Sequence, residues 1–150
     1  TRFGTHGRLE LRNIRMEIKH NKRGNMKPQN FQIEYPYMPP KELRGNSRTH
    51  WKAKISVKRN FQEVTIYKLR EQKPTQMNQI DIRYTAYYCG RPIDHDNLIM
   101  GMKPAVDCLT LEGIIPDDSP DHIKNVSIEY HRVKHKKDVK LIMRIDENRR

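Results

Sequence analysis

Phe31, Ile33, Tyr35 and Tyr37 alternate with polar positions, the period-two pattern of a half-buried strand, and Pro39-Pro40 ends it. A loop carrying the turn signal Gly45-Asn46-Ser47 then leads into a helix from Arg48 to about Glu71. Its apolar stripe, Trp51, Ala53, Ile55, Phe61, Val64 and Leu69, is irregular, and the β-branched run Val64-Thr65-Ile66 weakens its second half. Asn78 to Tyr88 carries the clearest strand pattern: Ile80, Ile82, Tyr84, Ala86 and Tyr88 on one face, Gln79, Asp81, Arg83 and Thr85 on the other. A second helix holds Ala105, Val106, Leu109 and Leu111 and closes at Gly113, which suits a left-handed cap. Two starts are open for it. It runs unbroken from Asp96, or Leu98 to Met102 loop out and Pro104 takes the first turn of a helix beginning near Lys103.

Ile123, Val126, Ile128 and Tyr130 form a further strand, Lys134 to Asp138 turn, and Val139, Leu141, Met143 and Ile145 alternate back, which reads as a hairpin. The order β-α-β-α-β-β predicts an α+β fold, a mixed β-sheet with two helices packed on it. Residues 1–30 carry eight Lys and Arg against Glu10 and Glu17 and fit neither period, so they read as a basic amino-terminal extension. A nucleic-acid arm and a solvated tail both remain open for it, and residues 31–150 form the single folded domain.

Charge sharpens this picture. The chain of 150 residues has a net charge of +12 and a mean hydropathy of −0.98, so its core is lean and its surface attracts polyanions. No apolar run approaches the roughly 18 residues of a membrane span and no signal peptide opens the chain, from which we expect a soluble, cytoplasmic protein. Cys89 and Cys108 lack paired-ligand spacing and read as buried free thiols. Residues 91–121 run against the overall charge: seven carboxylates against Arg91 and Lys103 give −5, leaving +17 for the rest. Clustered carboxylates repel unless something cationic neutralises them, and a hard divalent metal is the usual partner. A basic body around an acidic focus points to metal-assisted chemistry on a phosphodiester.

Asp94-His95-Asp96 places two carboxylates where an extended or turning backbone can aim both at one ion, although Asp96-Asn97-Leu98 also reads as a helix cap. Asp117-Asp118 sits in a Pro-bounded loop, where a turn would use Asp as well. An EF-hand is excluded because Ile99 and Ala105 stand where Gly and Glu are required, and no P-loop, GxGxxG or GxSxG is present. Arg44, Arg48, His50, Lys52 and Lys54, with Arg91, form a basic set suited to holding a phosphate backbone without reading sequence.

The stretch RPIDHDNLIMGMKPAVDCLTLEGIIPDDS resembles the signature of RusA-type Holliday junction resolvases, crossover junction endodeoxyribonucleases of phage and prophage origin. Their pattern is D-x-D-N-L, a Lys, Asp-x-Leu, an apolar link and D-D. FQIEYPYMPP and NSRTHW resemble the family's first strand and following loop, so the resemblance covers about residues 31–145. It implies a homodimer in a bacterial or phage-infected cell that resolves four-way DNA junctions by paired nicks, using Mg²⁺ with Mn²⁺ as a substitute and leaving 5′-phosphate ends. It implies Asp94, Asp96 and Asp118 as metal ligands. The family Lys four residues after the second aspartate is Met100 here, but Lys103 stands four before Asp107, so a three-residue insertion makes Lys103 its counterpart. A catalytically inactive DNA-binding or architectural protein of the same fold is the alternative.

Overall fold

The computed structural model describes residues 27–149. The amino-terminal extension lies outside the described residues up to residue 26. Four strands and two helices follow in the expected α+β order: β1 (Asn30–Tyr35), α1 (Trp51–Gln72), β2 (Ile80–Tyr88), α2 (His95–Leu111), β3 (Ile123–Arg132) and β4 (Lys140–Glu147). Short 3₁₀ turns occupy Lys41–Leu43 and Lys136–Asp138. Among the described residues no helix is long and apolar enough to cross a membrane.

Strand alternation translates directly into the core. Phe31, Ile33 and Tyr35 point inward from β1, Ile80, Ile82, Tyr84 and Ala86 from β2, and Leu141, Met143 and Ile145 from β4. Both helices cover this apolar face. In α1 the buried residues are Phe61, Thr65 and Leu69, spaced four apart on one side of the helix. The β-branched Thr65 is accommodated because its hydroxyl donates to the Phe61 carbonyl at 2.9 Å and shares a 2.7 Å hydrogen bond with the Tyr35 hydroxyl.

Two expectations need correction, and one open choice is decided. The strand order is β1-β4-β2-β3, with β4 antiparallel to both β1 and β2 and β3 parallel to β2, so β3 and β4 do not form a hairpin. The two inner places go to β4 and β2, whose apolar faces are fully buried, while β3 is left as a largely exposed edge. The connection from β3 to β4 therefore spans two inter-strand spacings, about 10 Å. Second, α1 starts at Trp51, and much of its expected stripe is not core: Trp51 and Ile55 in its first turns and Val64 beyond Phe61 are exposed. Of the two starts left open for α2, the unbroken one is found: the helix runs from His95 through Pro104, and no loop forms over Leu98 to Met102. The proline's cost falls on the Met100 carbonyl, which loses its helical donor, while the Pro104 carbonyl accepts from Gln62 Nε2 at 3.1 Å and Cys108 Sγ at 3.3 Å. Both cysteines are free, but only Cys108 is buried, Cys89 being partly exposed at the end of β2; burial pushes the Cys108 thiol up to about 12, with Asp107 and Glu112 adding to the rise.

Candidate active site

The acidic segment begins where β2 ends. Gly90 adopts φ +80°, a left-handed conformation that turns the chain out of the sheet, and Asp94 in extended geometry then starts α2. Asp94 is the helix cap: its Oδ1 accepts from the Asn97 backbone N–H at 2.9 Å, and its carbonyl accepts from Leu98 N–H at 3.0 Å. Asp96, which the sequence offered as the cap, instead lies inside the first turn. It is exposed, and among the described residues its carboxylate makes no hydrogen bond or ion pair.

At the far end of α2 the expected left-handed cap is present as a full Schellman arrangement. Gly113, at φ +73°, donates to the Thr110 carbonyl at 3.0 Å, and Ile114 N–H donates to the Leu109 carbonyl at 2.8 Å. Ile114 and Ile115 are buried, which anchors the Pro116–Asp118 loop beside the helix. The two aspartates there have separate tasks. Asp117 accepts from Ser119 N–H at 2.7 Å and faces His122 Nε2 at 3.8 Å, and its hydrogen bonds to Ser119 hold its carboxyl below the usual range. Asp118 turns toward α2 and forms an ion pair with Lys103, whose Nζ also lies 3.0 Å from Asp107 Oδ1. Lys103 follows Asp96 by seven residues, about two helical turns, so the two share a face of the helix.

The structure thus brings Lys103 and Asp118 together, but it does not gather Asp94, Asp96 and Asp118 into one ligand shell. Among the described residues no three His, Cys, Asp or Glu side chains stand close enough to hold a metal ion.

Across from Asp94 lies basic surface. An open cleft of about 530 Å³ is lined by Asp94 and Asn97 of α2, Arg91 of the preceding segment, Tyr88 at the end of β2, and Arg44 and Asn46 of the loop before α1. Asn46 N–H donates to Asn97 Oδ1 at 3.2 Å, and Arg44 Nε donates to the Pro39 carbonyl at 3.1 Å, so the loop is tied to the helix. Gly101 makes this docking fit, since a Cβ there would stand 2.7 Å from Pro39 Cβ. The remaining basic candidates lie along the start of α1 and do not line this cleft. His50 Nδ1 caps the helix by accepting from Lys52 N–H at 3.3 Å, and its ring stacks on exposed Trp51. Lys52 lies over the Trp51 ring, Lys54 Nζ donates to the Ser47 carbonyl at 3.3 Å, and Arg48 is exposed.

Sequence reasoning passed over Tyr130. Its ring stacks on His95 at 5.3 Å, its hydroxyl is buried without a partner among the described residues, and burial followed by the charge of Asp94 raises its pKa. Strand alternation marked Tyr130 only as apolar filling. Asn97 was legible as part of D-x-D-N-L, but its tie to Asn46 was not.

Neither the scan against protein-family models nor the search of curated proteins returned a match.

Proposed function

We propose that this chain is a Mg²⁺-dependent, structure-selective endodeoxyribonuclease of the RusA type, cutting four-way DNA junctions by paired nicks as a homodimer. The observation that supports it most is the Asp94 cleft, where a carboxylate suited to a hard cation stands in one recess with Arg44 and Arg91, suited to phosphate oxygens. The donor chemistry fits Mg²⁺, for Asp94 keeps a second carboxylate oxygen beyond its capping bond and Asp96 is free. Asp94, Asp96 and Asp118 would hold the ion once drawn together from their present separate positions, with Asp118 released from Lys103, and the ion would supply Lewis-acid polarisation of the phosphodiester and a more acidic bound water. Arg44 and Arg91 hold the phosphate by its non-bridging oxygens, and Lys103 offsets negative charge that grows during attack. Such an enzyme works in the cytoplasm of a bacterial or phage-infected cell.

Two matched cuts need two carboxylate clusters, and a two-fold dimer supplies the second. Trp51 and Ile55, one turn apart and both exposed on α1, are apolar surface that a partner would cover. Sedimentation at micromolar concentration is expected to give a dimer; a monomer both alone and on junction DNA removes this part of the reading.

One observation favours the alternative, a DNA-binding protein of the same fold without turnover: Asp118 is already neutralised by Lys103, and no three-ligand group is assembled among the described residues. A synthetic four-way junction incubated with and without Mg²⁺ separates the two. Symmetric nicks only with the metal support the nuclease, and metal-independent binding without nicks supports the alternative.

A further inference from the structure

The sheet order carries a second cationic surface to the edge of the acidic site. Because β2 lies between β3 and β4, the chain leaving β3 crosses the carboxyl end of β2, the same end from which the segment leading to Asp94 departs. The crossing residues 133–140, VKHKKDVK, hold four lysines against Asp138. The crossing is also held in place. Val133 N–H donates to the Tyr88 carbonyl at 2.8 Å, Cys89 Sγ lies 3.7 Å from the Lys134 carbonyl, and the 3₁₀ turn is closed by Asp138 N–H on the His135 carbonyl at 3.0 Å. Lys134, Lys136 and Lys137 are exposed and make no ion pair among the described residues. Lys140 lies 4.9 Å over the Tyr87 ring and 3.5 Å from Glu34.

Val139 joins the two surfaces. It lines the Asp94 cleft on one side, and on the other it lines a second open cleft of about 680 Å³ whose wall holds Lys68, Lys137 and Lys140 against Glu34 and Asp138, with Tyr87. The crossing thus reaches from the Asp94 cleft at Val139 to Lys137 and Lys140 of the second cleft, with Lys134 and Lys136 exposed on the same short segment.

We infer that residues 133–140 form a phosphate-holding strap, along which a DNA strand entering or leaving the Asp94 cleft passes over Val139 and is held by Lys134, Lys136 and Lys137. The inference rests on the reading of the Asp94 cleft as a phosphodiester site. Tyr88 and Cys89 hold the start of the crossing at the end of β2, and Lys134, Lys136 and Lys137 extend from it as exposed cations. The strap contributes charge and no sequence readout, because its lysines are point donors.

The test is fluorescence anisotropy of a labelled four-way junction, without divalent metal, across a salt series. The variants are Lys134→Ala/Lys136→Ala/Lys137→Ala and a charge-matched control, Lys58→Ala/Lys73→Ala/Lys124→Ala. The strap variant should bind at least tenfold more weakly, with the slope of log K against log salt reduced by about 0.9 for each phosphate it no longer neutralises, and the control should weaken far less. Equal weakening in both variants, or none in the strap variant, overturns the strap, as does tighter binding of an RNA hairpin than of the junction. Circular dichroism of the strap variant checks that it is folded; a misfolded triple is replaced by the three single substitutions, whose combined effect must reach the same tenfold. Failure of the site reading looks different. Wild-type protein that binds the junction with steep salt dependence yet never nicks it with Mg²⁺ sinks the nuclease while the strap is still judged by its variants, and wild-type protein that binds no DNA sinks both.

Discussion

Lys103 stands between Asp118, with which it is ion-paired across the gap from α2 to the Pro116–Asp118 loop, and Asp107 one turn further along its own helix at 3.0 Å. All three side chains are partly exposed, so the pairs add little to stability. Their consequence is positional: the cation aims Asp118 at the helix face that carries Asp96.

Lys103→Ala tests that arrangement. The change removes the cation that neutralises Asp118 and Asp107, leaving two carboxylates free to attract a metal while removing positive charge from the reacting phosphate. Cleavage should fall at least about tenfold, equivalent to about 1.4 kcal/mol of transition-state stabilisation, with a smaller change in junction affinity. Mg²⁺ binding followed by calorimetry should tighten. An unchanged cleavage rate would pass the role to another cation, Arg91 first.

Replacing the aspartates separates chemistry from folding. Asp94→Asn, Asp96→Asn and Asp118→Asn should each abolish nicking while junction binding persists or tightens, since each removes a negative charge facing phosphate. At Asp94 the two roles come apart further, because asparagine caps a helix about as well as aspartate whereas alanine does not. Asp94→Asn should leave stability nearly unchanged, and Asp94→Ala should lose about 1 kcal/mol in urea unfolding. If all three Asn variants nick at the wild-type rate, these carboxylates are not the site.

How far the sequence could be read depended on whether an element's neighbours mattered. β1 and β2 were legible because one face of each is buried, so Ile33 and Ile80 alternate with polar residues whatever lies alongside. The pairing of β4 was not, for period two marks a strand without naming its partner, and β2 inserts between two segments adjacent in the chain. Trp51 and Ile55 look like core when apolar residues are simply counted, yet the apolar sheet face does not extend under the first turns of α1. The cap at Gly113 is local and was readable. The pairing of Lys103 with Asp118 depends on α2 continuing through Pro104, which local propensity opposes and core packing of Met102, Ala105 and Leu109 overrides.

Electrostatics should dominate binding. With Z phosphates neutralised on duplex arms, log K should fall against log salt with a slope of about −0.9Z. Arg44→Ala and Arg91→Ala, in the cleft, should each weaken binding and flatten that slope by about 0.9, the share of one phosphate. A slope near zero for the wild-type protein would remove the polyanion half of the reading.

Two glycines near the cleft should respond differently to the same added methyl group. Gly101 is inside α2, where alanine would gain about 1 kcal/mol of helix propensity. Against that, the new Cβ would stand 2.7 Å from Pro39 Cβ and 3.1 Å from its Cγ. Pro39 is buried and its ring is rigid, so the clash is relieved only by moving the turn that holds Arg44 through the Pro39 carbonyl. Overpacking of this kind costs about 1–3 kcal/mol, and with a backbone-fixed neighbour we place Gly101→Ala toward the upper end, so it outweighs the propensity gain. At Gly45 the added Cβ would meet Met100 Sδ at 2.6 Å, closer still, but that sulfur lies near the tip of a flexible side chain that is largely exposed and can swing aside. Gly45→Ala should therefore be nearly neutral in urea unfolding, while Gly101→Ala should lose about 1–2 kcal/mol and weaken junction binding by displacing Arg44. A stabilised Gly101→Ala variant would mean that the Pro39 turn is not packed on α2 as described, and the wall of the Asp94 cleft formed by Arg44 and Asn46 would have to be placed elsewhere.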